Sequence, residues 1–560
     1  MNNVFGNLAL DDQETEDLGL MFTDKIQSGL TRAALTKCSD WSEQYRVMGK
    51  PFPGAWTFKH HPWLREMHDS KAELNVGKKA AQMGYTEQVL NWSFFNIDIL
   101  GESVLYVLPT DDNASDFSAA RFDAALDLSP HLANLFNDVK NTKLKRAGGA
   151  CLYVRGSRSK TNLISVPVSR IAIDELNKMV VANIELLMER LSGQVSKQTW
   201  MLSTPTVPEF GIDLYYDRSS QEHFFFVCPA CHRHEELIFP ENVVIFGDNP
   251  MDARTKESYY ICKQCKAKLI HETKDEWMNE GIWVPQHKDR DSRGFYINQL
   301  YSRTVSPYEL VSQYHKAQVD PVAEQELYNS KIGVSHVVAG ARIQDTDISG
   351  CEASYANHTT ASNLHVITMG VDIGTWLHFE IDEWFEDKKF ETNDIHLNHT
   401  PKVVYTGKVK EFEELDNIMA QYGIHYAVID ANPERRKSLD FCKRFHGRAS
   451  ACFYGRDQKA REITQGVMLP TITVDRTSWL DLSLSRFKGQ RIRVPMDLSQ
   501  EYRNHIKSIM KVYEKDQDGN PTASFVSIAS DHHAHARNYA EIALDMALSA
   551  GTVSDITGVM

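Results

Sequence analysis

The 560-residue chain has no apolar run long enough to span a bilayer, and its first residues lack the basic-then-apolar pattern of an export signal. A place in the cytoplasm is therefore expected. Nine cysteines in such a chain are not a disulfide framework. Positive charge is also short: the net charge of −14 excludes a protein that coats nucleic acid indiscriminately, although a local basic groove remains compatible with it. What is present is ordinary for a soluble globular protein, with 42% hydrophobic and 24% charged residues and enough length for two to four domains.

An intact phosphate-binding loop, G-x-x-x-x-G-K-[ST], is missing as well. Its nearest counterpart is Asn75-Val-Gly-Lys-Lys-Ala-Ala-Gln-Met-Gly-Tyr-Thr-Glu87. Superposing the frame puts Lys79 at the first position, Gly84 at the second glycine, Tyr85 where the lysine belongs and Thr86 on the metal-binding hydroxyl. The lysine has crossed the loop. An apolar stretch, Gln88 to Ile97, follows as the helix whose positive N-terminus would face phosphate. A glycine flanked by lysines is an ordinary turn in most chains, so the loop needs partners.

It has two. Ile164 to Ile173 is a buried-strand pattern ending in Asp174-Glu175, an arrangement in which the aspartate holds Mg²⁺ and the glutamate orients and deprotonates water. A further strand, Thr199 to Ser203, runs into Ser203-Thr204-Pro205-Thr206, a polar turn of the kind that senses the γ-phosphate. With Ser103 to Leu108 as another strand, strands alternating with helices predict a mostly parallel sheet, and ligand chemistry belongs at its carboxyl ends.

Around this core the remaining stretches are less specific. Residues 1–25 are acidic and predict a tail, mobile or partner-binding. The aromatics before the loop include Tyr45, a candidate to stack on adenine, against the alternative of core packing. Lys140, Lys143, Lys145, Arg146, Arg155, Arg158 and Lys160 form a basic run without an acidic residue; a solvated loop and contact with DNA or γ-phosphate are the two readings. Cys228-Pro-Ala-Cys231 and Cys262-Lys-Gln-Cys265 have the spacing of two knuckles placing four thiolates around one Zn²⁺. With cysteine at all four positions the site is closed and structural, the alternative being a redox pair, for which no thioredoxin-like unit is present.

The last third changes character. Val366 to Gly374 is a buried strand carrying Asp372, followed by strands near Phe379–Trp384 and Lys402–Gly407, a helix near Phe412–Tyr422, and Tyr426-Ala-Val-Ile-Asp430. That order is ribonuclease-H-like, an architecture in which two carboxylates at adjacent strand ends and a third from a late helix hold two metal ions about 4 Å apart for phosphodiester hydrolysis. The late helix, Ser530 to Leu544, offers Asp531, with His532 and His535 as additional ligands. Strand-end acids on a surface are the bland alternative.

An ATPase, a zinc ribbon and a ribonuclease-H-like nuclease in one chain resemble the large terminase subunit of tailed bacteriophages, in its lambda-like branch. The resemblance spans nearly the whole chain, through Lys79-Ala-Ala-Gln-Met-Gly-Tyr-Thr86, Ile171-Ala-Ile-Asp-Glu175, Ser203-Thr-Pro-Thr206, the four cysteines, Asp372, Asp430 and the Asp531 helix. It implies an α/β protein: an acidic tail (1–25), a P-loop-type ATPase domain (26–220), a zinc-ribbon insertion (221–290), a connecting region (291–362) and a nuclease domain (363–560). It further implies that Lys79 serves the phosphates, that Asp174 and Glu175 are the metal and water residues, and that the turn with Ser203 and Thr204 couples hydrolysis to movement; with Gln82, Gly84 and Thr86 of the loop and Tyr45 as the adenine candidate, these make up the expected ATP site. Asp372, Asp430, Asp531 and His535 would hold Mg²⁺ or Mn²⁺. Two departures stand out: Glu87 adjoins the metal hydroxyl where a second lysine can stand, and histidines occur where relatives often have a second aspartate.

The function so implied is a motor that drives double-stranded DNA into a prohead and a nuclease that cuts concatemers, in the cytoplasm of the infected host. Its implied partners are a small terminase subunit, the portal protein and further copies of itself. Two other classes compete. A helicase-like translocase with an appended nuclease would need a second ATPase-like domain with an arginine finger, which is not found before the zinc cysteines; a non-enzymatic assembly protein conflicts with the intact Asp174-Glu175 pair.

Overall fold

A computed structural model describes residues 35–549 apart from 138, 165, 190, 363, 388–393, 456–459 and 517–518. The acidic tail therefore lies outside the described residues. The chain divides into two compact units, Met1–His336 and Val337–Met560.

The first unit is built on an eleven-stranded sheet. Its central strands are β1 (Leu74–Lys79), β2 (Val104–Leu108), β3 (Ala150–Gly156), β4 (Arg170–Asp174) and β5 (Gln198–Ser203), with β6 (Glu222–Val227) and β7 (Arg293–Ile297) towards one side. The order across the centre is β6-β7-β1-β5-β4-β2-β3, every neighbouring pair parallel, with antiparallel strands at both margins. Strands β2 and β4 are buried at all five positions, as expected of strands covered on both faces. Strand β7, from the stretch read as connecting, pairs directly with β1. The strand pattern expected over 164–173 is realised only from Arg170; Lys160–Ile164 is helical, and Pro167 cannot donate to a ladder.

The second unit carries a seven-stranded sheet. Strands β8 (Val366–Ile373), β9 (Leu377–Glu386), β10 (His399–Val409), β11 (Tyr426–Asp430), β12 (Ala449–Gly455) and β13 (Thr471–Asp475) lie in the order β10-β9-β8-β11-β12-β13. Strand β9 is antiparallel to both β8 and β10, strands β11, β12 and β13 run parallel to β8, which is the ribonuclease-H-like order, and Thr464–Gln465 adds an antiparallel edge strand to β13. The helix α3 (His532–Ser549) lies on β8, after α1 (Tyr85–Phe95) in the first unit and α2 (Gln500–Ser508) in the second.

Gly370 permits that approach. A Cβ there would sit 2.0 Å from the Ala536 carbonyl oxygen, so only glycine lets the helix backbone rest on the strand. Beneath the contact Arg537 is fully buried and meets Glu380, Asp382 and Glu541, with Arg486 bonding Glu541 at 2.6 and 2.7 Å. This network fixes the helix, because removing one member would strand an uncompensated buried charge at a cost of about 3–5 kcal/mol.

Candidate functional site

Three strand ends converge in the first unit. Register pairs Lys78 of β1 with Ser203 of β5, and Leu202 of β5 with Asp174 of β4, so the loop, the polar turn and the carboxylate share one edge. The loop closes onto α1 through Gly84, whose φ of 82° is left-handed and whose absent Cβ would lie 2.9 Å from Leu64. Gln82 is also left-handed and exposed. Thr86 Oγ1 donates to Asp174 Oδ2 at 2.9 Å, which brings two motifs 88 residues apart into contact. Tyr106, unmarked in the sequence, donates to the same oxygen at 2.8 Å.

The two lysines differ. Lys78 is buried and spent on Asp213, with 2.5 Å between Nζ and Oδ1. Lys79 is half-buried and makes no ion pair among the described residues. Two loop amides are already engaged, Ala80 donating to the Ile297 carbonyl and Ala81 to that of Ser330. Glu175 stands in left-handed backbone at φ 62°, its exposed side chain reaching Lys178 at 2.9 Å. Ser203 Oγ accepts from the Asn177 backbone, and Thr206 Oγ1 from its side chain. Thr204 lies between them in the same turn. Glu87 is held by Arg46 at 2.9 Å and by Arg121 at 3.3 Å.

Tyr45 stacks on His131 at 3.8 Å, so one ring face is covered. In the basic run, Lys145 is fully buried against Asp123 at 2.8 Å, while Lys143, Arg146, Arg158 and Lys160 are exposed. The side chain of Lys140 lies outside the described residues.

The cysteine pairs form matching knuckles. In each, the first cysteine N–H donates to a carbonyl five residues on and its carbonyl accepts from the residue four on, His232 or Lys266, both at positive φ. All four sulfurs lie within 4.8 Å of one another, and the cross-pairs Cys228–Cys265 and Cys231–Cys262 are 3.9 and 4.0 Å apart. A Zn–S bond of about 2.3 Å puts tetrahedral sulfurs ~3.8 Å apart, so the spacing fits that ion. Glu235 accepts from Cys262 Sγ at 2.6 Å, the proton a metal would displace. The first knuckle tips a hairpin of the large sheet, between β6 and His234–Glu236; the second belongs to the three-stranded sheet of Val243–Val244, Tyr259–Ile261 and Lys268–Leu269.

In the second unit β8 and β11 are parallel, with Val371 opposite Ile429, so Asp372 and Asp430 follow side by side at their ends. Burial, with the Asp372 charge beside it, pushes Asp430 up to about 6 against the donation from the Asn432 amide. Asp372 Oδ2 is 2.7 Å from His532 Nδ1, and Asp531 Oδ2 is 3.2 Å from His535 Nε2. Asp531 also accepts from Ser527; against the effect of burial, His535 and Ser527 hold it well below the usual carboxylate range. His535 Nδ1 is 3.0 Å from the Tyr454 hydroxyl and its ring acts on Asp430 as well. The arrangement is a row of oxygens and imidazoles suited to divalent cations.

Behind His532 lies a group the sequence did not reveal: His378, His505 and His533. Burial, then the neighbouring imidazoles, push His378 down to about 4 and His533 to about 3. They stand on three elements more than a hundred residues apart at the extremes, with no spacing signal.

Two families match the chain. Residues 50–283 match "Phage terminase large subunit gpA, ATPase domain" and residues 292–551 match "Terminase large subunit gpA, endonuclease domain". Among solved structures, a large terminase from a thermophilic bacteriophage is 10% identical over 86% of this chain and 96% of its own, with a TM-score of 0.31. The ATPase domain of the Thermus phage P74-26 large terminase is 12% identical, over 49% of this chain and 93% of its own, at 0.30. The large terminase nuclease of thermophilic phage G20c is 10% identical over 35% and 95%, at 0.23. No curated protein matches the chain. The two family matches, in tandem over most of the length, give an ATPase followed by an endonuclease, the pair of activities of a DNA-packaging motor, and the chain belongs to the gpA family of phage terminase large subunits.

Proposed function

We propose that ATP is held and hydrolysed at the carboxyl ends of β1, β4 and β5, and that DNA is cut at those of β8 and β11. The observation that carries the first half is the Thr86–Asp174 contact, which joins loop and strand end into one oxygen-lined corner. Lys79, with Gln82 and Gly84, faces the phosphates, since Lys78 is committed to Asp213. Thr86 and Asp174 hold Mg²⁺, whose charge offsets that developing on the phosphate oxygens. Glu175 takes a proton from the attacking water, a reading supported by its exposed carboxylate next to Asp174, where Lys178 is its partner at 2.9 Å. Ser203 and Thr204 relay hydrolysis to the sheet edge; Tyr45 borders the base.

For cutting, Asp372, Asp430 and Asp531, with His535, would hold Mg²⁺ or Mn²⁺, hard ions that suit carboxylate oxygens and would supply charge stabilisation for phosphodiester hydrolysis. The four cysteines hold one structural Zn²⁺. The motor works on double-stranded DNA in the infected host's cytoplasm, with a small terminase subunit for site recognition, a portal protein as docking partner and further copies of this chain.

Thr86→Ala tests the corner. ATP turnover should fall at least tenfold while plasmid nicking with Mn²⁺ persists; unchanged turnover would place the nucleotide elsewhere.

A further inference from the structure

We propose that His378, His505 and His533 form a separate binding site for a zinc-class divalent transition ion beside the nuclease carboxylates. The three come from the start of β9, the last turns of α2 and the first turn of α3, and each offers a ring nitrogen within 4.8 Å of the others. A tetrahedral ion with Zn–N bonds of about 2.1 Å needs nitrogens ~3.4 Å apart, so ring shifts of no more than about 0.8 Å each would close the site.

Two features distinguish this group from an ordinary buried cluster. His378 is 3% exposed, yet neither of its ring nitrogens has a hydrogen-bond partner. Leaving a buried polar group unsatisfied costs about 1–3 kcal/mol, and a phenylalanine would fill the space without that cost. An ion removes the cost. The other feature is the fixed tautomer of His533. Thr406 Oγ1 donates to the Phe379 carbonyl at 3.1 Å, so toward His533 Nδ1, 3.3 Å away, it is left to accept. That holds the proton on Nδ1 and leaves the Nε2 lone pair free, the arrangement by which outer groups orient ligating imidazoles.

The remaining surroundings are consistent in charge. Glu501 Oε1 lies 3.7 Å from His378 Nε2 as a fourth ligand, the one oxygen beside three nitrogens, and is itself held by Lys408 at 2.7 Å. His505 Nδ1 is 3.4 Å from the His533 backbone N–H, at the limit of a hydrogen bond. His532 stacks on His378 with centroids 4.6 Å apart and planes 9° from parallel, and bonds Asp372 from its other side. Neutral imidazoles favour Zn²⁺ and its neighbours over Mg²⁺. The ion would tie α2 and β9 to the first turn of α3, one ring away from Asp372.

The test counts metal in the full-length protein after dialysis against excess Mg²⁺. Wild type should hold one zinc more per chain than His505→Ala, and Asp430→Asn should hold as many as wild type. Because the readout is a difference, it is indifferent to whether the cysteines are loaded. Equal zinc in wild type and a folded His505→Ala would overturn the proposal. Should that variant not fold, stripped Asp430→Asn protein titrated with Co²⁺ in excess Mg²⁺, which keeps Co²⁺ off the carboxylates, decides: the histidine site adds visible absorption of tetrahedral intensity without a near-ultraviolet sulfur band. A titration that ends with the sulfur-banded equivalent would equally overturn it.

Discussion

The two strand-end sites of this chain use carboxylates in contrasting company. Asp174 Oδ2 of the first unit accepts from two hydroxyls, Thr86 and Tyr106, while its Oδ1 accepts from the Glu175 amide. In the second unit Asp372 and Asp531 face imidazoles, His532 and His535. A hydroxyl brings no charge to its carboxylate, whereas an imidazole can bring one. The two sites therefore differ in the company their acids keep, although both sit at the carboxyl ends of parallel strands, and Asp531 has the Ser527 hydroxyl beside its imidazole.

The contrast is broken most severely by removing charge from one site alone. Asp372→Asn should lower plasmid cutting about 10³-fold, since several kcal/mol of metal-borne stabilisation is withdrawn, with ATP turnover intact. Cutting at the parental rate would remove these carboxylates from the nuclease. The reciprocal change, Glu175→Gln, should reduce ATP turnover about 10²-fold and leave nicking unaltered, as loss of a general base does. A drop in both activities would mean that the sites are not independent.

Two finer tests follow. Lys79→Ala should cut turnover about tenfold per folded molecule, an effect of ~1.4 kcal/mol. Lys78→Ala should instead show itself in denaturant unfolding, because Asp213 would be left buried without its cation. The opposite pattern would shift the phosphate lysine by one residue. The smallest effect is in pH. Asp430 must lose its proton to bind a cation and stands at about 6, so cutting at limiting Mn²⁺ should weaken as pH falls through that value. ATP turnover should change less over the same range.

Much of the fold was legible because its strands are buried runs that stop at a charged residue. Tyr426-Ala-Val-Ile-Asp430 is a strand over the very residues the pattern marks, and the helix expected near Phe412 runs Phe412–Gln421. Contacts made only by tertiary closure were not legible. Nothing near Lys78 marks Asp213 as its partner, and nothing near His378 marks His505. Tyr45, read as a base-stacking candidate, has His131 against one face, a pairing that no local pattern encodes.

The left-handed backbone at Glu175 has an evolutionary consequence. A side chain there costs about 1–2 kcal/mol that glycine would not incur, while glycine's extra freedom in the unfolded chain costs about 0.5–1 kcal/mol. Glu175→Gly should thus leave the protein as stable or more so, with ATP turnover as low as in Glu175→Gln. Drift toward a sturdier but idle enzyme is open at this position through a single residue, and only selection for the carboxylate itself holds it closed.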